Sequence, residues 1–347
     1  MNIRPDRDRR SAAFTLVEVL VASAILIVMT GFLLAVMDQT TRIWSSTSAK
    51  VEQFREARTG FERVTTRLAQ ATLNTYWDYD NPTTPTRYLR QSELRFISGS
   101  ASTLLGASGT AARVTHSVFF NAPLGVTSNT SYSGLPNALN TFGYYVELAD
   151  DTGQRPAFIT TAMIPSRWRF RLMEFLEPTD NFSVYQYTNG NPGVITNAWF
   201  TTAANNTPAF KRVVAENVIA FLVTPRLAKA EELPLQSNAT QSPLAPNYSY
   251  DSTATNANAQ LNPKNQLPPV VQITMVAVDE KSANKLGLSG TGQSNIFNTS
   301  TLFTNTQNFA ADLASLETTL VNTHVRYRIF TTNVHIRAAK WSREQKN

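Results

Sequence analysis

Residues Phe14–Met37, FTLVEVLVASAILIVMTGFLLAVM, constrain this chain more than any other stretch. They contain no Lys or Arg, and Glu18 is their single charge. As a helix rising about 1.5 Å per residue they extend roughly 36 Å, more than the ~30 Å of bilayer hydrocarbon. Four arginines, Arg4, Arg7, Arg9 and Arg10, precede the run. The positive-inside bias keeps that flank in the cytoplasm and places the bulk of the chain across the membrane. A secretory signal peptide fits less well. Its apolar core is shorter and ends in a small-x-small site, which Leu34–Asp38 does not offer.

Glu18 needs a reason. A carboxylate at the bilayer centre costs about 2.5–3.5 kcal/mol, and less near the interface. An interfacial Glu snorkelling to the headgroups is the plain explanation. The string around it is more specific: Ala13, Phe14, Thr15, Leu16, Val17, Glu18, then the unbroken apolar run. This resembles the N-terminal cleavage and methylation motif of type IV prepilins and type II secretion pseudopilins. The resemblance implies that prepilin peptidase cuts between Ala13 and Phe14 and methylates the new Phe14 amine. It also implies that Glu18 pairs with the Phe14 amine of a neighbouring subunit, an arrangement in which opposite charges offset each other's burial. Ala13 stands where the family usually has Gly. The implied partners are the peptidase, other pilin or pseudopilin subunits and inner-membrane lipid.

The apolar helix pattern continues beyond Asp38. Thr47, Val51, Phe54, Ala57, Phe61, Val64, Leu68 and Ala71 recur at steps of three and four. Arg55, Glu56, Arg58, Glu62, Arg63 and Arg67 fill the other face. The reading is one helix over 14–73, membrane-spanning over 14–37 and amphipathic over 38–73, preceded by a leader at 1–13. Asn74 and Asp80-Asn81-Pro82 stop it.

Residues 74–347 read as a β-rich head. Glu93–Ser98, Arg113–Phe120, Tyr144–Leu148 and Arg167–Phe175 alternate or cluster as strands. In the last of these, Trp168, Phe170 and Leu172 share one face. Arg167, Arg169 and Arg171 share the other, expected to be solvated. Val213–Thr224 and Pro269–Val278 are apolar and β-branched strands. Phe309–Leu320 has helical spacing, and strands follow at Thr323–Phe330 and Thr332–Ala338. Two stretches near 228–264 and 282–308 are rich in Asn, Ser, Thr and Gln and read as polar surface loops. The expected fold class is α+β: a long N-terminal helix packed on an antiparallel, pilin-like head.

The order of amphipathic helix, Val-Ile-Ala-Phe strand and Leu-Pro-Pro-Val-Val strand resembles J-type minor pseudopilins and W-type minor pilins. Arg167–Pro178 and Val325–Trp341 resemble the C member of the verrucomicrobial prepilin-type cassettes.

Composition closes off several classes. With no cysteine there are no disulfides or thiolate-bound metals. The net charge of +6 is spread along 347 residues and gives no nucleic-acid footprint, so nucleic acid is not an expected partner. His116, His324 and His335 stand alone in strand patterns without metal-ligand spacing. Asp78/Asp80 and Asp150/Asp151 suit turns better than a calcium series. No nucleophile or phosphate-loop string occurs. The expectation is a non-enzymatic protein without cofactor or metal. The rival is an anchored recognition protein using the Arg167/Arg169/Arg171 face or the polar loops to bind DNA, carbohydrate or a secreted substrate.

Overall fold

The computed structural model describes residues 15–106, 111–156, 158–159, 163–187, 196–228, 244–256 and 261–342. Helix α1 runs Leu16–Leu68, a hairpin of β1 (Tyr76–Tyr79) and β2 (Tyr88–Gln91) follows, then β3 (Ile97–Ser100) and the short α2 (Ala101–Leu105). Next come β4 (Ala111–Pro123), β5 (Leu139–Ala149), β6 (Arg169–Glu177) and α3 (Ala198–Asn206). The remainder is β7 (Lys211–Glu216), β8 (Val218–Arg226), β9 (Tyr250–Asp251), β10 (Val270–Val278), α4 (Glu280–Lys285), α5 (Phe309–Asn322) and β11 (Tyr327–His335). Residues divide into two compact units, one ending at Glu52 and the other beginning at Gln53. The fold class is α+β.

Within the second unit the strands form a six-stranded sheet, β7-β6-β5-β4-β3-β9, and a three-stranded sheet, β11-β10-β8. Every pairing is antiparallel. The end of α1 lies on this head through Ala57, Phe61, Val64 and Leu68, all buried, as the three-and-four spacing requires. Gly60 permits close approach. A Cβ there would sit 3.0 Å from Val214 Cγ1 and 3.2 Å from Ala215 Cβ on β7. Phe61 meets Phe330 of β11 with ring centres 5.7 Å apart.

The charged side of the helix is not simply solvated. Glu174 of β6, fully buried, receives Arg63 in a bidentate bond (Nε 3.0 Å, Nη2 2.9 Å), Arg67, and the Tyr144 hydroxyl at 2.9 Å. Arg212 of β7 adds an ion pair at 3.5 Å. A carboxylate out of water needs such partners, and these tie the helix to three strands.

The two sheets are stitched by side chains. β8 is an edge strand, so alternate N–H groups face outward without a ladder partner. A bulge in β4 at Thr115 and His116, with Thr115 at φ +55°, aims two side chains at that edge. The Phe221 N–H donates to Thr115 Oγ1 at 3.1 Å, and the Val223 N–H to His116 Nδ1 at 3.3 Å. With Nδ1 accepting, the ring proton sits on Nε2, which donates to the Phe303 carbonyl at 3.0 Å. Gly143 is required opposite Phe119 in the β4–β5 register. A Cβ there would lie 2.2 Å from the ring, which stacks on Phe200 at 3.9 Å between centres.

Several expectations need correction. The helix ends at Leu68, not near residue 73. The next turn tightens through Gln70-to-Arg67 and Ala71-to-Leu68 bonds, and Thr72 bridges to Asn121. Ala71 and Leu73 stay buried after the helix stops, so apolar spacing alone overran it. Val213–Thr224 is two strands in different sheets, switching at Asn217 with φ +59°. Thr323–Ala338 contains one strand, paired with β10 in unbroken register from Val278↔Tyr327 to Val270↔His335. The stretch 282–308 is no loose polar loop: Phe297 and Phe303 are core residues. Of 228–264, the described part likewise buries Leu244, Tyr248, Tyr250 and Leu261.

Candidate functional site

The N-terminal unit carries the residues that the sequence singles out. Leu16–Thr41, 26 residues, is the one helix among the described residues long and apolar enough to cross a membrane. At about 1.5 Å per residue it extends ~39 Å. Four of its hydroxyl side chains fold back on its own backbone. The hydroxyls of Ser23, Thr30, Thr40 and Thr41 donate to the carbonyls of Leu20, Leu26, Val36 and Met37 at 2.7–2.9 Å. In lipid, where water cannot serve, this is the cheapest way to carry a hydroxyl.

Glu18 is treated the same way. Thr15 sits immediately before the helix, and the Glu18 N–H donates to Thr15 Oγ1 at 3.3 Å. In return Glu18 Oε2 accepts the Thr15 N–H and the Thr15 hydroxyl, each at 3.0 Å. The pair is a capping box: two of the amide donors that a helix start leaves unpaired are satisfied reciprocally. The negative charge also lies at the positive end of the helix dipole. Thr15 enters the motif string above without a role of its own; its role is the cap, which a Thr-x-x-Glu string opening an apolar run signals.

The arrangement leaves defined chemistry available. Both local bonds go to Oε2; among the described residues, Oε1 has no hydrogen-bond partner. A cation approaching Oε1 would meet a carboxylate already oriented by its own helix start. Ala13 and Phe14, the expected cleavage and methylation positions, lie outside the described residues.

Other candidates resolve into structure. Arg169 and Arg171 are buried, contrary to a solvated arginine face. Arg169 bonds Glu280, Asn284 and the Trp168 carbonyl, and Arg171 bonds the carbonyls of Ala149 and Asp150. Only Arg167 of the three is exposed, and it pairs with Glu280. His116 is the sheet-to-sheet link, and burial depresses its pKa to about 4. His324 and His335 are exposed and separate from it. Asp80 caps the hairpin turn through Thr86 and Arg87, and Asp151 binds Arg155 and the Arg167 N–H. Burial pushes the Glu177 carboxyl up despite bonds from Ser183 and Thr141. No group of acids and histidines that could hold a metal occurs among the described residues.

Residues 8–34 match the prokaryotic N-terminal methylation motif. The matched stretch contains Ala13, Phe14, Thr15 and Glu18 and ends within α1. The motif thus supports the prepilin and pseudopilin resemblance, whose members are in general structural subunits handled by prepilin peptidase, and it leaves the head unaddressed. No curated protein and no solved structure matches the chain.

Proposed function

We propose that this chain is a non-catalytic minor pilin or pseudopilin, a single-pass inner-membrane subunit that is processed and then assembled into a periplasmic filament or its tip. The observation that carries the reading is the methylation motif on a helix, Leu16–Leu68, that contains both the spanning stretch and the stripe buried on the head. Prepilin peptidase removes residues 1–13 after Ala13 and methylates Phe14. Residues 14–37 hold the subunit in the bilayer, the amphipathic part within 38–73 joins it to the head, and 74–347 faces the periplasm. Glu18 Oε1 then receives the Phe14 amine of a neighbour while Thr15 keeps Oε2 in place. The head's bulk suits a minor subunit of the J or W type better than a repetitively packed major one, with the verrucomicrobial cassette C type as the finer assignment for the strands at its C-terminal end. The arginine face offered for a recognition protein is enclosed at Arg169 and Arg171, which takes away one of the two surfaces that reading could use.

The test is Glu18→Ala in cells that also express partner pilins. Membrane insertion is expected to stay intact while co-purification with the partners is lost. Undiminished co-purification would remove Glu18 from assembly.

A further inference from the structure

The β1–β2 hairpin has a feature that the assembly reading does not use. Trp77 pairs across the strands with Arg90, and Tyr79 with Tyr88. Cross-strand partners share a face, as do residues two apart, so these four side chains form one surface. The geometry agrees: the Arg90 guanidinium lies 5.6 Å from the Trp77 ring centre, and Tyr79 and Tyr88 stack at 4.9 Å with their hydroxyls 3.3 Å apart. The rings are locked against each other yet open outward. Trp77 is 65% exposed and Tyr88 60%. Two stacking positions result, about 7 Å apart along the strand.

Arg90 also lines a cleft of about 350 Å³ beside the hairpin, with Lys340 on its wall. Arg90 donates to the Gln266 side chain at 3.3 Å and the Lys340 carbonyl at 2.7 Å, both neutral acceptors. Among the described residues, neither Arg90 nor Lys340 has a carboxylate within 4.0 Å. Elsewhere in this head Arg67 meets Glu174 and Arg155 meets Asp151, whereas Arg113, like Arg90, has neutral acceptors.

We propose that the Trp77/Tyr79/Tyr88/Arg90 face and its adjoining cleft bind an acidic polysaccharide. Pyranose faces present C–H groups of slight positive charge, which suit the negative face of an aromatic ring. A uronate carboxylate supplies the anion that Arg90 and Lys340 lack, and Arg binds carboxylates with strong, directed bonds. Single-stranded nucleic acid also stacks on aromatic rings, but needs cations along its whole backbone. Among the described residues that line the cleft the cations are two, Arg90 and Lys340.

The experiment uses the full chain in a non-glycosidic detergent, titrated with polygalacturonate oligomers, a neutral glucan oligomer and oligo-dT of similar length. Polygalacturonate is expected to bind best and to weaken with salt. Trp77→Ala and Arg90→Gln should each weaken it at least tenfold, Lys340→Gln severalfold, and Tyr132→Ala, an exposed tyrosine elsewhere, not at all. Lys340→Gln covers the case in which the hairpin variants unsettle their own fold. No binding of polygalacturonate, equal binding of the neutral glucan, tighter binding of oligo-dT, or variants that all bind like the parent would each overturn the proposal.

Discussion

Acidification should loosen the join between the two sheets, and the size of the effect follows from His116. Its ring is buried, its Nδ1 accepts from the Val223 amide, and its Nε2–H donates to the Phe303 carbonyl. Protonating Nδ1 would set a donor against a donor in a place without water. Burial accordingly lowers the pKa from 6.5 to about 4. A base with a depressed folded-state pKa contributes stability that is complete above the unfolded value and disappears as pH falls toward the folded one. The window is therefore pH 6.5 down to about 4, and at about 1.36 kcal/mol per unit the loss is about 3 kcal/mol. Urea unfolding of the full chain in detergent across that window measures it, with His116→Gln as the comparison lacking the titrating ring. The variant's curve should be flatter by roughly that amount even if its absolute stability is lower. With only three histidines in the chain, NMR can also follow each imidazole directly. A His116 titrating near 6.5 in the folded protein, or equal pH slopes for parent and variant, would refute the argument.

Two further substitutions test the packing. Glu174→Ala leaves the half-buried Arg67 and the buried Tyr144 hydroxyl without their acceptor, a loss of about 3 kcal/mol; this is the low end for a broken buried pair, because Arg63 and Arg212 can regain water. Urea midpoints would show it, and a change below about 1 kcal/mol would mean that the cluster does not hold the helix to the sheet. Gly143→Ala drives a methyl into the Phe119 ring, and a loss of about 3 kcal/mol is expected, at the upper end for overpacking. Full parental stability by the same measurement would show that Phe119 can turn aside.

The sequence was most informative where one physical constraint dominates. A lipid-spanning helix must be long, apolar and nearly uncharged, so Leu16–Thr41 was legible, as was the stripe Phe54–Leu68 by its spacing. β4, β5, β6, β10 and α5 announced themselves by alternation or period. The places that failed share a cause: burial on both sides, or by distant partners, hides from local pattern. Arg169 and Arg171 alternate like a wet face, yet Glu280, Asn284 and backbone carbonyls meet them there. Arg63 and Arg67 look like helix surface until Glu174, more than a hundred residues away, is placed beneath them. Asn217 turns one apolar run into two strands because Asn tolerates a left-handed backbone. The Thr15 cap is legible too, because a Thr-x-x-Glu string opening an apolar run signals a capping box.

Processing of this N-terminus in the manner of a pilin is the central prediction. Intact-mass and peptide mass spectrometry of the chain purified from its native membrane decides it. A mature chain beginning at N-methylated Phe14, with residues 1–13 absent, is the predicted result. An intact Met1, or a chain starting near residues 38–50, would contradict it.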